Sequence, residues 1–207
     1  MKDHCYYLAR SLRVPTRPFN RSSENRRVFR KFEDIEIQHQ MFEKNDFQWD
    51  NTTLSFCRNY ANERFSTSFT EERLQTIIHH DHGNRVLTFT HENQLVGLVL
   101  LGTDDQAWHY WFAFFSLDQF TDLPFGKWAM TYALDLAAEH EIGHVYLGTC
   151  YGRHSLYKVR DFKGVSFFDG NIWSEDIKAL KALCKSDENL DALDLIKKDH
   201  DVYHYIK

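Results

Sequence analysis

Two histidines and a glutamate lie within five residues, at His140-Glu141-Ile142-Gly143-His144. On a continuous helix such a pair of histidines can bind zinc while the glutamate activates water, so the pattern is typical of a zinc peptidase. Gly143 favours the end of a helix, and the residues from His144 onward, HVYL, favour a strand. We therefore predict that Gly143 ends the helix, that His140 and His144 do not share it, and that no metal binds here.

The first part of the chain is predicted to be extended and then helical. Pro15 and Pro18 exclude a helix from residues 1–20. Ser22 or Ser23 can cap a helix that continues to about residue 45, because apolar residues recur there near helical spacing. Two further helices are predicted over residues 51–65 and 70–81, the second with an acidic first turn.

Strands and helices alternate in the remaining chain. Three apolar, aromatic runs of strand length cover residues 85–90, 95–101 and 108–115, and their connections indicate an antiparallel meander. The following predicted elements are a helix over 125–141, a strand over 144–149, a short helix near 154–162, a strand over 165–168 and C-terminal helices.

These elements predict an α/β (α+β) fold class, in which a mixed sheet has an antiparallel meander followed by β-α-β and preceded by N-terminal helices. We expect a basic N-terminal segment with helices over residues 1–82 and a core over residues 83–207, packed as one compact unit. No run approaches 18 apolar residues, and the four cysteines are scattered. We therefore expect no membrane partner, free thiols and a cytoplasmic location.

A basic segment lies near the start of the chain. Residues 10–31 contain eight lysines and arginines against one glutamate, a charge of +7, so the rest of the chain carries -12 and the total is -5. Such a segment can bind a polyanion such as RNA. It can equally pair with the acidic residues of its own chain, and charge alone leaves both interpretations open.

The predicted element order resembles the GNAT acyltransferase fold, in which a helix after the meander binds the acyl donor at its N-terminus. In members that use acetyl-CoA, a glycine-rich loop there binds the pyrophosphate through backbone N–H groups. The corresponding residues 121–127 contain one glycine and one proline, which has no N–H. A CoA-dependent GNAT N-acyltransferase is therefore the alternative function.

Several short motifs resemble a narrower group, the C-terminal domain of arginyl- and leucyl-type aminoacyl-tRNA–protein transferases. The resemblance covers about residues 10–176. The matching pieces, in chain order, are Arg17-Pro18-Phe19, Ser22-Ser23-Glu24-Asn25-Arg26-Arg27-Val28, Phe125-Gly126-Lys127-Trp128, Val145-Tyr146-Leu147-Gly148, Tyr157-Lys158 with Phe162-Lys163, and Gly170-Asn171-Ile172-Trp173.

The resemblance implies transfer of an amino acid from aminoacyl-tRNA, as co-substrate without a separate cofactor, to the N-terminus of a protein or peptide. Tyr157 is the expected proton donor, with His154 one turn earlier; a core position for Tyr157 is the alternative. The expected substrate- and tRNA-binding residues are Arg17, Asn25, Arg26, Arg27, Phe125, Gly126, Lys127, Tyr146, Gly148, Lys158 and Trp173. A relative that binds tRNA or peptide without catalysis is a third interpretation.

Overall fold

The computed structural model describes residues 9–65 and 69–187. Eight strands and six α-helices lie within these ranges. In chain order they are β1 (Ser11–Pro15), α1 (Ser23–Arg30), β2 (Gln38–Glu43), α2 (Asn51–Phe65), α3 (Glu71–His79), β3 (Arg85–His91), β4 (Gln94–Thr103), β5 (Ala107–Phe115), α4 (Phe125–Glu139), β6 (His144–Thr149), α5 (Tyr157–Asp161), β7 (Ser166–Phe168), β8 (Trp173–Ser174) and α6 (Ile177–Ser186). The predicted α+β class and the order of meander, helix, strand, helix and strand are confirmed.

The described residues form two compact units, one within residues 16–145 and one that combines residues 9–15 with 146–187. In the first unit the strand order is β2-β3-β4-β5, and each neighbouring pair is antiparallel. The meander strands carry apolar residues on both faces of the sheet, so helices can cover both faces. One face packs against α2 and α3 around Leu74, Val86 and Phe114, and the other carries Phe89, which contacts Phe125 and Trp128 of α4. The division near residue 82 stays a prediction.

The predicted helix over residues 22–45 is wrong beyond its first turns. Ser22 and Asn25 form a reciprocal capping box at the start of α1, but the helix ends at Arg30. Residues 38–43 instead pair with β3, from Gln38 opposite Thr90 to Glu43 opposite Arg85. Apolar residues in this region occur at spacings that suit a helix, yet as an extended edge strand it pairs with the backbone groups on the open side of β3.

The second unit has the strand order β6-β1-β7-β8, in which residues 146–149 of β6 belong to this unit. β1 and β7 are antiparallel, with Leu12 opposite Phe167, and β7 and β8 form an antiparallel hairpin. Strand alternation gives this half-sheet two different faces. Leu12, Leu147 and Phe167 are buried on one face, whereas the opposite face carries half-buried polar and aromatic side chains.

The segment from residue 140 to 144 is a helix-to-strand junction. His140 caps the end of α4 and His144 begins β6, so the two histidines do not share a helix, as predicted. The residue that ends the helix is Glu141, not Gly143. Glu141 has a φ of 59°, its N–H donates to Ala138, and the N–H of Ile142 donates to Ala137, which is the Schellman arrangement.

Gly143 serves a different purpose. Its N–H donates to the carbonyl of Gln106, and a β-carbon at this position would lie 3.2 Å from that same oxygen. The glycine therefore allows a close backbone approach.

Within the described residues no helix combines the length and apolar character needed to cross a bilayer.

Candidate functional site

Lys158 holds the end of β6 in an irregular conformation. Its Nζ donates to the carbonyls of Leu147 and Thr149, at 2.7 and 3.2 Å. Gly148, between these two residues, has a φ of 76°, and a β-carbon there would lie 3.8 Å from the Lys158 ammonium. Since that distance is ordinary contact, the positive φ rather than lack of space requires glycine. Burial lowers the pKa of Lys158, and the two carbonyl contacts fix its position.

An arginine–aromatic cluster lies on the half-buried face of the second unit. The Trp173 ring lies 5.5 Å from that of Tyr146 and 5.6 Å from that of Phe168. The guanidinium of Arg13 lies 4.2 Å from the Trp173 ring centre, and its Nε donates to Ser166 Oγ at 3.1 Å. The four side chains of this cluster come from four neighbouring strands, β6, β1, β7 and β8. Arg13 was not among the residues that the motifs singled out.

Tyr157 and His154 lie on the connection that follows β6. Residues 153–156 form a 3-10 helix that leads into α5, where Tyr157 is the first residue. Because a 3-10 helix has about three residues per turn, positions 154 and 157 lie on the same side. His154 is exposed and Tyr157 is half-buried. The proton-donor role of Tyr157 stays a prediction.

Several arginines of the basic segment pair with carboxylates of their own chain. Arg21 makes a forked contact with Asp135, with a shortest distance of 2.6 Å, and its guanidinium lies 3.7 Å from the Phe29 ring. Burial raises the pKa of Asp135, although Arg21 opposes this shift. Arg17 lies 3.6 Å from Glu141. This pairing neutralises part of the positive charge.

The predicted tRNA-binding residues of α1 have contacts within the same unit. Both oxygens of Glu24 accept from Arg27 at 2.8 Å, and Lys127 of α4 lies 3.3 Å away. The Arg27 hydrogen bond is the largest cause that lowers the pKa of Glu24 to about 2. Asn25 is buried in the capping box and donates to Thr131 Oγ1 at 3.2 Å. Arg26 donates to the carbonyl of Arg21 and is exposed.

The N-terminus of α4 is apolar and closely packed. Phe125 is 2 % exposed and stacks on Phe120, with ring centres 5.3 Å apart. A β-carbon on Gly126 would lie 3.0 Å from the Phe115 ring, so this glycine allows close packing between helix and strand. Pro124 is the N-cap, and the N–H groups of Phe125 and Lys127 donate to nearby carbonyls. These groups therefore do not point to a pyrophosphate.

A buried ion pair that the sequence did not predict ties the start of β1 to the end of α6. Arg10 and Asp187 are 1 % and 4 % exposed, and two N–H···O contacts of 2.7 and 3.3 Å join them. Asp187 also accepts from the backbone of Gly152 at 2.8 Å, and Arg10 donates to the carbonyl of Cys150 at 3.2 Å. Extra hydrogen bonds of this kind offset the cost of burying both charges.

No protein-family model and no curated protein matches the chain. Similar solved structures include the C-terminal domain of an Agrobacterium fabrum protein described as a lysylphosphatidylglycerol synthetase, at 10% identity and a TM-score of 0.48 over 70% of this chain and 48% of that one. Another is L-PGS from Bacillus licheniformis, at 13% identity and a TM-score of 0.49 over 69% of this chain and 45% of that one.

A third is the GCN5-related glucosamine N-acetyltransferase region of a fungal multi-domain GH3 β-N-acetylglucosaminidase, at 9% identity and a TM-score of 0.45 over 77% of this chain and 20% of that one. This chain thus covers slightly less than half the length of each of the first two structures. At such scores, these likenesses carry no argument about its activity.

Proposed function

We propose that this protein is an aminoacyl-tRNA-dependent transferase that adds an amino acid, of the arginine or leucine type, to the N-terminus of a protein or peptide. The observation that carries the proposal is the meeting of three separate motif pieces. Lys158 of the Tyr-Lys piece holds both carbonyls beside Gly148, and Trp173 of the Gly-x-x-Trp piece contacts Tyr146. A motif set with a shared function is expected to meet in this way.

The proposed reaction depends mainly on the positioning of the aminoacyl ester and the acceptor amine. The amino acid is already activated as an ester on the 3′ end of tRNA, and the acceptor amine, with a usual pKa near 8, is partly neutral at pH 7. Holding the two together can therefore supply most of the acceleration. In this proposal the arginine–aromatic cluster receives the unpaired 3′ end by stacking and phosphate contact, since arginine and aromatic rings bind single-stranded nucleotides in this way.

Tyr157 is assigned the proton transfer. A ribose hydroxyl leaves during the reaction, and a phenol beside it can donate the proton, which contributes roughly 10²–10⁴-fold. Lys158 is a positioning residue in this scheme, because its Nζ already donates to two carbonyls of β6.

The direct test is to incubate the full chain with a mixture of charged tRNAs and acceptor peptides that differ in their first residue. We expect peptides with a free α-amine to gain the mass of one amino acid and peptides with an acetylated N-terminus to stay unchanged. If no aminoacyl-tRNA supports any transfer, the proposal is wrong. A parallel reaction with acetyl-CoA separates the CoA-dependent alternative, which the closely packed start of α4 does not favour.

Two matched pairs of variants test the assigned residues. Tyr157→Phe is expected to lower kcat roughly 10²-fold or more with little change in KM. The control is Tyr132→Phe, which removes a phenol of the unit of residues 16–145 that contacts His39 of the same unit, and it should leave transfer unchanged. Trp173→Ala is expected to raise the KM for aminoacyl-tRNA, while the neighbouring Ile172→Ala, at a side chain that is 64 % exposed, is the control.

A further inference from the structure

Cys150 and Cys184 form a buried thiol pair at the end of β6. Their Sγ atoms lie 3.7 Å apart, and both residues have 0 % solvent exposure. Cys150 directly follows β6, and Cys184 lies near the end of α6, 34 positions further along the chain. Sulfur atoms at this distance are in contact, and a disulfide requires them to approach by about a further 1.7 Å.

The surroundings favour ionisation of one of the two thiols. A hydrogen bond from Cys150 lowers the pKa of Cys184, and the Arg10 guanidinium, 3.9 Å from the sulfur, adds to the lowering, whereas burial and the Asp187 carboxylate oppose it. The same hydrogen bond and burial raise the pKa of Cys150. Because the thiolate is the form that reacts with oxidants, we assign the first reaction to Cys184, the sulfur that lies beside the Arg10 guanidinium.

Cys57 provides the contrast. It is equally buried, but it lies in an apolar cluster of the other unit with Leu74 and Ile78, and burial raises its pKa to about 12. Burial alone therefore does not distinguish Cys150 and Cys184. The distinction lies in the neighbouring sulfur and the guanidinium.

We infer that Cys150 and Cys184 are a redox modification site at which a small peroxide produces an intramolecular disulfide. In the first step the Cys184 thiolate attacks a peroxide oxygen, the O–O bond breaks, and the hydroxide released takes a proton and leaves as water. The Cys150 sulfur then attacks the sulfenic sulfur, the S–O bond breaks, and a second water leaves with the Cys150 proton. Two thiols lose two electrons, and the peroxide is reduced to two waters.

The oxidant reaches the pair when the end of α6 opens. Cys184 lies in the last turn of this helix, and opening there must also separate the Asp187 carboxylate from Arg10, but such local opening still costs less than global unfolding. Once formed, the bond joins α6 to the residue that follows Thr149, whose carbonyl accepts from Lys158. Oxidation therefore closes the same helix end through which the peroxide entered.

The experiment uses the full chain with Cys5→Ala, so that a thiol outside the described residues cannot exchange. After treatment with hydrogen peroxide we expect the intact mass to fall by about 2 Da, and after alkylation and digestion we expect a peptide that links positions 150 and 184, with both changes reversed by dithiothreitol. Backbone hydrogen exchange over residues 177–186 should slow roughly tenfold. Cys57→Ala should behave like the parent, and Cys184→Ala should form no link.

Three outcomes overturn the inference. The first is that the thiols stay reduced while circular dichroism reports a folded protein. The second is that one cysteine accumulates as sulfinic acid, and the third is that the disulfide joins two chains instead of positions 150 and 184 of one chain. Because Cys184→Ala can disturb the core, the deciding measurement is the peptide map of the chain that keeps both cysteines.

Discussion

Replacing Glu141 by glycine is expected to stabilise the protein. Glu141 occupies the left-handed region, with a φ of 59°, at the position after the α4 cap where glycine is usual. The left-handed conformation costs an L-residue roughly 1–2 kcal/mol, and glycine returns about 0.5–1 kcal/mol of this as extra chain entropy in the unfolded state.

Two smaller contributions apply to the same substitution. The Arg17 contact that is lost spans 3.6 Å between side chains 55% and 85% exposed, so its contribution is within about 1 kcal/mol and close to zero. Removing a negative charge from the end of a helix gains a few tenths, about 0.3 kcal/mol. The net expectation for Glu141→Gly is a gain of about 0.5–1 kcal/mol in the free energy of unfolding.

Urea denaturation followed by circular dichroism measures this gain. Glu139→Gly is the matched control, because Glu139 is also exposed but lies in the last helical turn, where glycine costs about 1 kcal/mol. The two variants should therefore shift the midpoint in opposite directions. If Glu141→Gly destabilises as Glu139→Gly does, the description of the α4 end is wrong. A zinc peptidase would lose its general base in the first variant, whereas we expect transfer activity to persist.

Three further outcomes are expected. Gly148→Ala should destabilise by about 1 kcal/mol, because its φ of 76° strains an L-residue, and it should slow transfer; urea midpoints and rates check this. Asp187→Ala should cost about 3–5 kcal/mol by removing the carboxylate that pairs with the buried Arg10 charge, and the double variant with Arg10→Met should recover much of that loss in thermal unfolding. The pKa of Glu24, lowered to about 2, adds stability above pH 4.5 that is lost as pH falls towards 2, so Glu24→Gln should flatten this part of the acid-unfolding curve.

The sequence predicted the elements whose local pattern is unambiguous. The strands of the meander are apolar and aromatic runs with turn residues between them, and β3, β4 and β5 lie where they were expected. The error over residues 38–43 has a physical cause, since an edge strand is chosen by pairing with β3, which sequence spacing does not report. The short strands β1 and β8 were missed for the same reason.

The candidate site was predictable only in part. The motif resemblance singled out Lys158 and Gly148, but not that the ammonium would donate to carbonyls on both sides of the glycine. Arg10 was seen only as part of a basic segment, and its partner Asp187 lies 177 positions away with no local signal. Long-range pairs of this kind depend on how the strands assemble, so residue type alone does not reveal them.

The position of β1 also has a consequence for synthesis of the chain. β1 lies between β6 and β7, and Arg13 contacts Ser166, which follows 153 positions later. At about 5–20 residues per second, β1 waits on the order of 10–30 s on the ribosome before its second neighbour is made. During that interval the backbone edge of β1 that later pairs with β7 is open, on a strand whose Leu12 and Val14 side chains are buried in the finished protein. A nascent chain arrested before residue 166 should therefore bind chaperones that recognise short apolar strands.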